Sequence, residues 1–205
     1  MTTLPLFRDQ WRWRHLFGEA SARFSTCTIH HERGDQCECD DNPYRYTLTR
    51  TWNLESPPLV VVACNPSKAS ASRSDHTMTK LVNFADRWGH GGLILLNCYA
   101  YRATDPADLR RAERSGTPVI GPDNDLTIRR TLDEHRASKL LLAWGMNVPS
   151  DRARAVARIA IDVHGRPECL GLTEGADPQP RHPLLVPYIT TPRLYVELMA
   201  ERSNR

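Results

Sequence analysis

Leu59-Val60-Val61-Val62-Ala63-Cys64 (LVVVAC) is a short, unbroken apolar run that follows Pro57-Pro58. Leu93–Asn97 (LILLN) follows Gly91-Gly92, and Leu140–Trp144 (LLLAW) ends at Gly145. Cys169–Leu172 is a fourth, weaker run. Short continuous β-rich runs are the pattern of strands covered on both faces. Upstream, Tyr44–Trp52 (YRYTLTRTW) alternates aromatic or β-branched residues with polar ones and reads as a half-buried strand.

Helical patterns lie between these runs. Ser74 or Asp75 can cap a helix carrying Met78, Leu81, Val82, Ala85 and Trp88, with Gly89 as its stop. Asp105-Pro106 begins a short arginine-rich helix, and Asp125–Ala137 gives another. Ser150 caps a helix through Val163, with Ala153, Val156, Ala157 and Ala160 inward and Arg154 and Arg158 outward. Thr191-Pro192 starts a C-terminal helix. Strands alternating with helices predict an α/β fold: a three-layer α/β/α domain with a short parallel central sheet.

Outward from this core the chain is less regular. Leu6, Trp11, Trp13, Leu16 and Phe17 form a loose apolar set among arginines, a short helix or an irregular wrap. Thr28–Pro43 is polar and turn-rich, a surface loop. One domain over residues 1–205 is expected, with the wrap and loop over 1–43 and the core over 44–190. The chain is 40% hydrophobic and 25% charged, which argues against disorder. No run approaches the ~18 apolar residues of a membrane span, and arginines interrupt any signal-like N-terminus. The expected location is cytoplasmic and the expected state a monomer. Six scattered cysteines do not make a disulfide scaffold. A net charge of +3 permits an anionic partner without demanding one.

Ligands of open parallel sheets bind beyond the carboxyl ends of the strands. Asn65-Pro66-Ser67-Lys68 follows the first run, and Asn97-Cys98-Tyr99 ends the second. Gly145-Met146-Asn147 follows the third, and Arg181-His182-Pro183-Leu184-Leu185 lies beyond the fourth. A polar cluster with one group titrating near neutrality results. Each piece also has an ordinary reading. Asn65-Pro66-Ser67 is a turn sequence, Asn97 can cap a turn, and His182 before proline can be an idle loop residue.

The ordered set resembles the uracil-DNA glycosylase superfamily, closest to a bacterial and phage branch known as DUF1643. The resemblance runs from about Tyr44 to Val186. It is carried by YRYTLTRTW, CNPSKA (Cys64–Ala69), SDHTM (Ser74–Met78), LLNCYAYR (Leu95–Arg102), GPDND (Gly121–Asp125), LLAWG (Leu141–Gly145) and PRHPLL (Pro180–Leu185). It implies a cofactor-free, metal-free glycosidase acting on a nucleotide flipped out of duplex DNA. By the same resemblance the Asn65 loop positions the attacking water and Asn97 reads the pyrimidine edge. His182 stabilises the departing base, and Leu184 or Leu185 enters the base stack. These roles suit the chemistry. A hydrogen bond to a base oxygen stabilises the charge that develops on the leaving group. An amide offers both a donor and an acceptor to a base edge. An apolar wedge fills the space that the extruded base vacates.

Two departures from that pattern bear on the substrate. Ser67 stands where the best-known uracil enzymes carry a tyrosine that packs against carbon 5 of the pyrimidine. Its small side chain opens that wall and favours a base with a bulky 5-substituent, such as hydroxymethylated or glucosylated cytosine of phage DNA. Asn65 replaces an aspartate, which leaves Asp75 as the nearest carboxylate. Asp75 reads equally as a helix cap. Asp123, Asn124 and Asp125 either line the pocket or cap the next helix. Tyr99, with Tyr44, Tyr46 and Trp52, either stacks on a base or packs in the core. Lys68 and Arg181 place positive charge at the rim for phosphate. Arg110, Arg111, Arg114, Arg129 and Arg130 read as phosphate contacts or as solvated helix faces. The cluster Cys27, His30, His31, Cys37 and Cys39 fits no standard zinc spacing. The alternatives are a uracil-DNA glycosylase of base-excision repair, a hydrolase or transferase of free modified nucleotides, and a non-catalytic binder of modified DNA.

Overall fold

The structure is a computed structural model that describes residues 19–24, 43–67 and 75–203. Its strands in chain order are β1 (Glu19–Phe24), β2 (Arg45–Thr51), β3 (Pro58–Ala63), β4 (Gly92–Asn97), β5 (Leu140–Leu142), β6 (Glu168–Cys169) and β7 (Arg193–Leu194). The helices are α1 (His76–Arg87), α2 (Pro106–Arg114), α3 (Asn124–Glu134), α4 (Ser150–His164) and α5 (Tyr195–Ser203). The strands form one sheet in the order β1-β2-β4-β3-β5-β6-β7.

The four strands β4, β3, β5 and β6 run parallel, with Ala63 opposite Asn97 at the end of the β3–β4 ladder. Their alternation divides the core. Leu59, Val61, Ala63, Leu93, Leu95 and Leu141 face α1, against Met78, Leu81, Val82 and Phe84. Val60, Val62, Ile94, Leu96, Leu140 and Leu142 face the other way, against Leu109, Ile128, Leu132 and Val156 of α2, α3 and α4. Burying each such aliphatic side chain contributes about 1.5–3 kcal/mol. A strand covered on both faces needs apolar residues at every position, which is why β3 and β4 read as unbroken runs.

The expected parallel sheet is corrected to a mixed one. β2 pairs antiparallel with β4, β1 antiparallel with β2, and β7 antiparallel with β6. The alternating burial of β2 fits this placement, since antiparallel strands tolerate partial solvation of one face. β1 falls inside the segment read as wrap and loop. The rest of that segment up to residue 42, with its cysteine and histidine cluster, lies outside the described residues. Two helix starts also shift. Arg193–Leu194 pairs with Glu168–Cys169 before α5 begins, so the helix does not start at Thr191-Pro192. Ser150 is the first residue of α4 and not its cap, and its hydroxyl hydrogen-bonds Asp177. Gly165 ends α4 at a left-handed φ of 86°, a conformation open to glycine at little cost.

Candidate functional site

The loops after β3, β4, β5 and β6 all leave the same edge of the parallel strands. After β3, the Asn65 amide donates to the carbonyls of Pro66 (3.0 Å) and Ala103 (2.7 Å). These bonds tie the loop down and leave Oδ1 as the acceptor of that side chain. Ser67 Oγ donates to Asp75 Oδ2. Asp75 caps α1, accepting the Met78 N–H at Oδ1 (2.8 Å). The carboxylate therefore joins the first loop to the start of α1.

After β6 the chain crosses to His182, which opens a 3-10 turn at Pro183–Leu185. His182 Nδ1 accepts the Leu184 N–H (3.4 Å). A neutral ring that accepts at Nδ1 carries its proton on Nε2, so the free nitrogen is a donor. Burial pushes the imidazole below its ordinary value, and the Asp75 carboxylate partly offsets that. Gly145, after β5, packs directly on this histidine. A Cβ there would lie 2.9 Å from the His182 Cβ, and Gly145 has a φ of 74°. Its N–H donates to the Pro180 carbonyl (2.9 Å). The elements carrying Asp75 and His182 are also locked together. Tyr188 packs at a tilt of 53° against Phe84 of α1 (5.1 Å between centroids) and accepts from Asn83 (3.0 Å).

Asn97 ends β4 and continues the Leu93–Leu95 row, on the α1 face of the sheet. It is 1% exposed, yet neither its Oδ1 nor its Nδ2 has a hydrogen-bond partner among the described residues. A buried amide left without partners costs about 1–3 kcal/mol. The backbone around it is fully tied. Asn124 Nδ2 donates to the carbonyls of Asn97 (3.0 Å) and Cys98 (3.1 Å). Arg152 donates from Nε (2.8 Å) and Nη2 (2.6 Å) to the Cys98 carbonyl.

The structure thus brings Ser67, Asp75 and His182 together, with Asn65 on the same loop as Ser67. Asn97 stands one register position from that loop. Leu184 and Leu185 follow His182 and are solvent-exposed, Leu185 at 79%. Arg181 is exposed, with Nε donating to the Leu172 carbonyl (3.0 Å). Lys68 lies outside the described residues. Three other candidates fall elsewhere. Tyr99 is buried in the cluster with Leu96, Cys98 and Trp144 and belongs to the core. Asn124 is fully buried and holds the strand end from the side of α3. Asp123 is exposed at the N-cap position of α3, without a side-chain capping bond.

Two residues of the site were not singled out by the sequence reading. Gly145 reads in the sequence as a strand stop and as the start of the loop after the third run, without a sign that it meets His182. Arg152 was passed over, although it occupies the stripe of Val156 and Ala160 at helical spacing. A charged residue on an apolar stripe was the available signal. Thiol chemistry is disfavoured here, because burial pushes Cys64 up to about 12 and Cys169 up to about 11.

A family model described as "Protein of unknown function (DUF1643)" matches residues 45–184. No curated protein and no solved structure matches the chain.

Proposed function

The chain belongs to the DUF1643 family, a family of unknown function, and we propose that this member is a DNA glycosylase akin to the uracil-DNA glycosylase superfamily. Its substrate is a modified pyrimidine flipped out of duplex DNA, with a bulky 5-substituent such as hydroxymethyl or glucosyl-hydroxymethyl on cytosine. The product is free base and an abasic site. The observation that carries this reading is Asn97, whose two amide atoms are buried at a strand end without partners among the described residues. A pyrimidine edge presents an adjacent donor and acceptor, the pair that one amide can satisfy.

The remaining residues divide the chemistry among them in this reading. Water attacks the anomeric carbon as the bond from that carbon to the base nitrogen breaks. The bonding electrons leave with the base, and His182 Nε2–H donates to the base oxygen that gathers the charge. Asn65 Oδ1 orients the water, and the Asp75 carboxylate takes its proton. Ser67 holds that carboxylate through its hydroxyl and leaves space beside carbon 5. Leu184 and Leu185 fill the vacated stack, and Lys68 and Arg181 meet phosphate. The protein acts as a cytoplasmic monomer in defence against phages with modified genomes.

The test is release of free base from phage DNA containing hydroxymethylated or glucosylated cytosine, beside plain and uracil-containing DNA. Release from the modified DNA is expected. His182→Gln and Asn97→Ala should each slow it by about a hundredfold or more, the cost of losing one such donor. Activity on uracil DNA alone would remove the open-pocket reading. Release from none of these DNAs, or hydrolysis of free nucleotides only, would remove the glycosylase reading.

A further inference from the structure

The buried polar group around the end of β4 sits on the far side of the sheet from His182. We infer that Arg152 of α4, with Asn124 of α3, is a positioning pair that sets Asn97 for the ligand. This inference rests on the base-reading role proposed for Asn97.

Arg152 is 6% exposed and makes two hydrogen-bonded forks. One meets the Cys98 carbonyl through Nε and Nη2. The other meets Asp125, with Nη1 to Oδ2 (3.1 Å) and Nη2 to Oδ1 (2.6 Å). Asn124 closes over the same strand end by donating to the carbonyls of Asn97 and Cys98. On the opposite side, the Cys98 and Tyr99 N–H groups donate to Ala63 (2.8 Å) and Cys64 (3.0 Å) of the neighbouring strand end. Cys98 is therefore held from both sides, and the Tyr99 N–H and the Asn97 carbonyl from one side each.

This bonding is denser than a strand end requires. A buried arginine carries a large desolvation penalty, and an apolar residue of similar volume on the stripe of Val156 and Ala160 would pack without it. The bonds converge on the backbone of Asn97 and Cys98, beside the amide that has no partner. Holding the backbone rigid sets the Cα–Cβ direction of Asn97 before a ligand arrives, so less ordering remains to be done on binding. A lysine cannot reproduce either fork, because it is a single point charge without a planar pair of donors.

The test compares the native chain with Arg152→Lys and Asn124→Ala by two measurements. The first is native-state hydrogen exchange at the Cys98 and Tyr99 amides, with Leu95 as the internal reference. The second is affinity for free uracil and free cytosine, beside affinity for duplex DNA carrying a tetrahydrofuran abasic site. Both variants should speed exchange at Cys98 and Tyr99 about tenfold relative to Leu95. Both should weaken base binding about tenfold and leave abasic-DNA binding within about twofold. A general loss of structure would move base and DNA binding alike. Faster exchange with native base affinity overturns the inference, since Arg152 is then structural only. Unchanged exchange overturns it as well. A native chain that binds neither base nor DNA overturns the proposed function instead, and the exchange measurement alone then decides the clamp.

Discussion

His182 combines a structural bond with the chemical role proposed for it. Nδ1 accepts from the turn that the histidine opens, and Nε2–H is left as a donor. Protonating Nδ1 would break the first of these. Burial holds the folded value below that of the unfolded chain, where an ordinary histidine titrates near ~6.5. The unfolded chain therefore binds the proton first as the solution is acidified. The stability that the neutral ring contributes is present above about pH 6.5 and is lost as pH falls through the lower folded value. His90 is depressed by burial in the same sense. Denaturant midpoints between pH 7.5 and pH 5 should therefore fall for the native chain, and fall less for His182→Gln. Equal slopes would mean that His182 is not buried as described. The residue types of the site were legible before the fold, because Asn65, Asn97 and His182 follow successive strand runs. Asn124 was legible only as a pocket-lining or helix-capping residue. Its burial against strand-end carbonyls comes from α3 packing across the sheet.

α1 shows how one element serves both fold and site. Asp75 caps it, and the other carboxylate oxygen meets Ser67. The cap and the proposed role as base can be separated by substitution, because asparagine caps a helix as well as aspartate does. Asp75→Ala should lower stability by about 1 kcal/mol and abolish base release. Asp75→Asn should lose base release while its denaturation midpoint stays near native. Retained release in Asp75→Asn would assign the proton to another acceptor. The element was readable because cap, apolar spacing and glycine stop all lie within one local stretch. α4 was readable for the same reason, except at its two most informative positions. Ser150 looks like a cap and instead meets Asp177. Arg152 resembles Arg154 and Arg158 in type and differs from them in sequence only by its place on the apolar stripe; its partners Asp125 and Cys98 show why it is buried.

For the molecule as a whole, a charge of +3 says little about DNA, because binding depends on where the charge lies. Arg181 beside His182 places one cation at the rim of the site, and the exposed Leu184 and Leu185 follow it. If that rim meets duplex DNA, affinity should fall at least tenfold between about 50 and 200 mM salt, the loss expected for about two neutralised phosphates. Salt-independent binding, measured by titration with labelled duplex, would count against it. Among the described residues no helix is long and apolar enough to cross a membrane. The α/β class, the parallel strand runs and the caps at Asp75 and Asp105 followed from the order of residues alone, since each depends on periodicity and turn chemistry within a few neighbours. The antiparallel strands at both edges did not, because pairing direction is settled by which distant strand has a free edge. Nor did the separation of Asn97, Asn124 and Tyr99 into an empty amide, a strand-end clamp and a core ring. All three are buried, and the contacts that distinguish them come from residues remote in sequence.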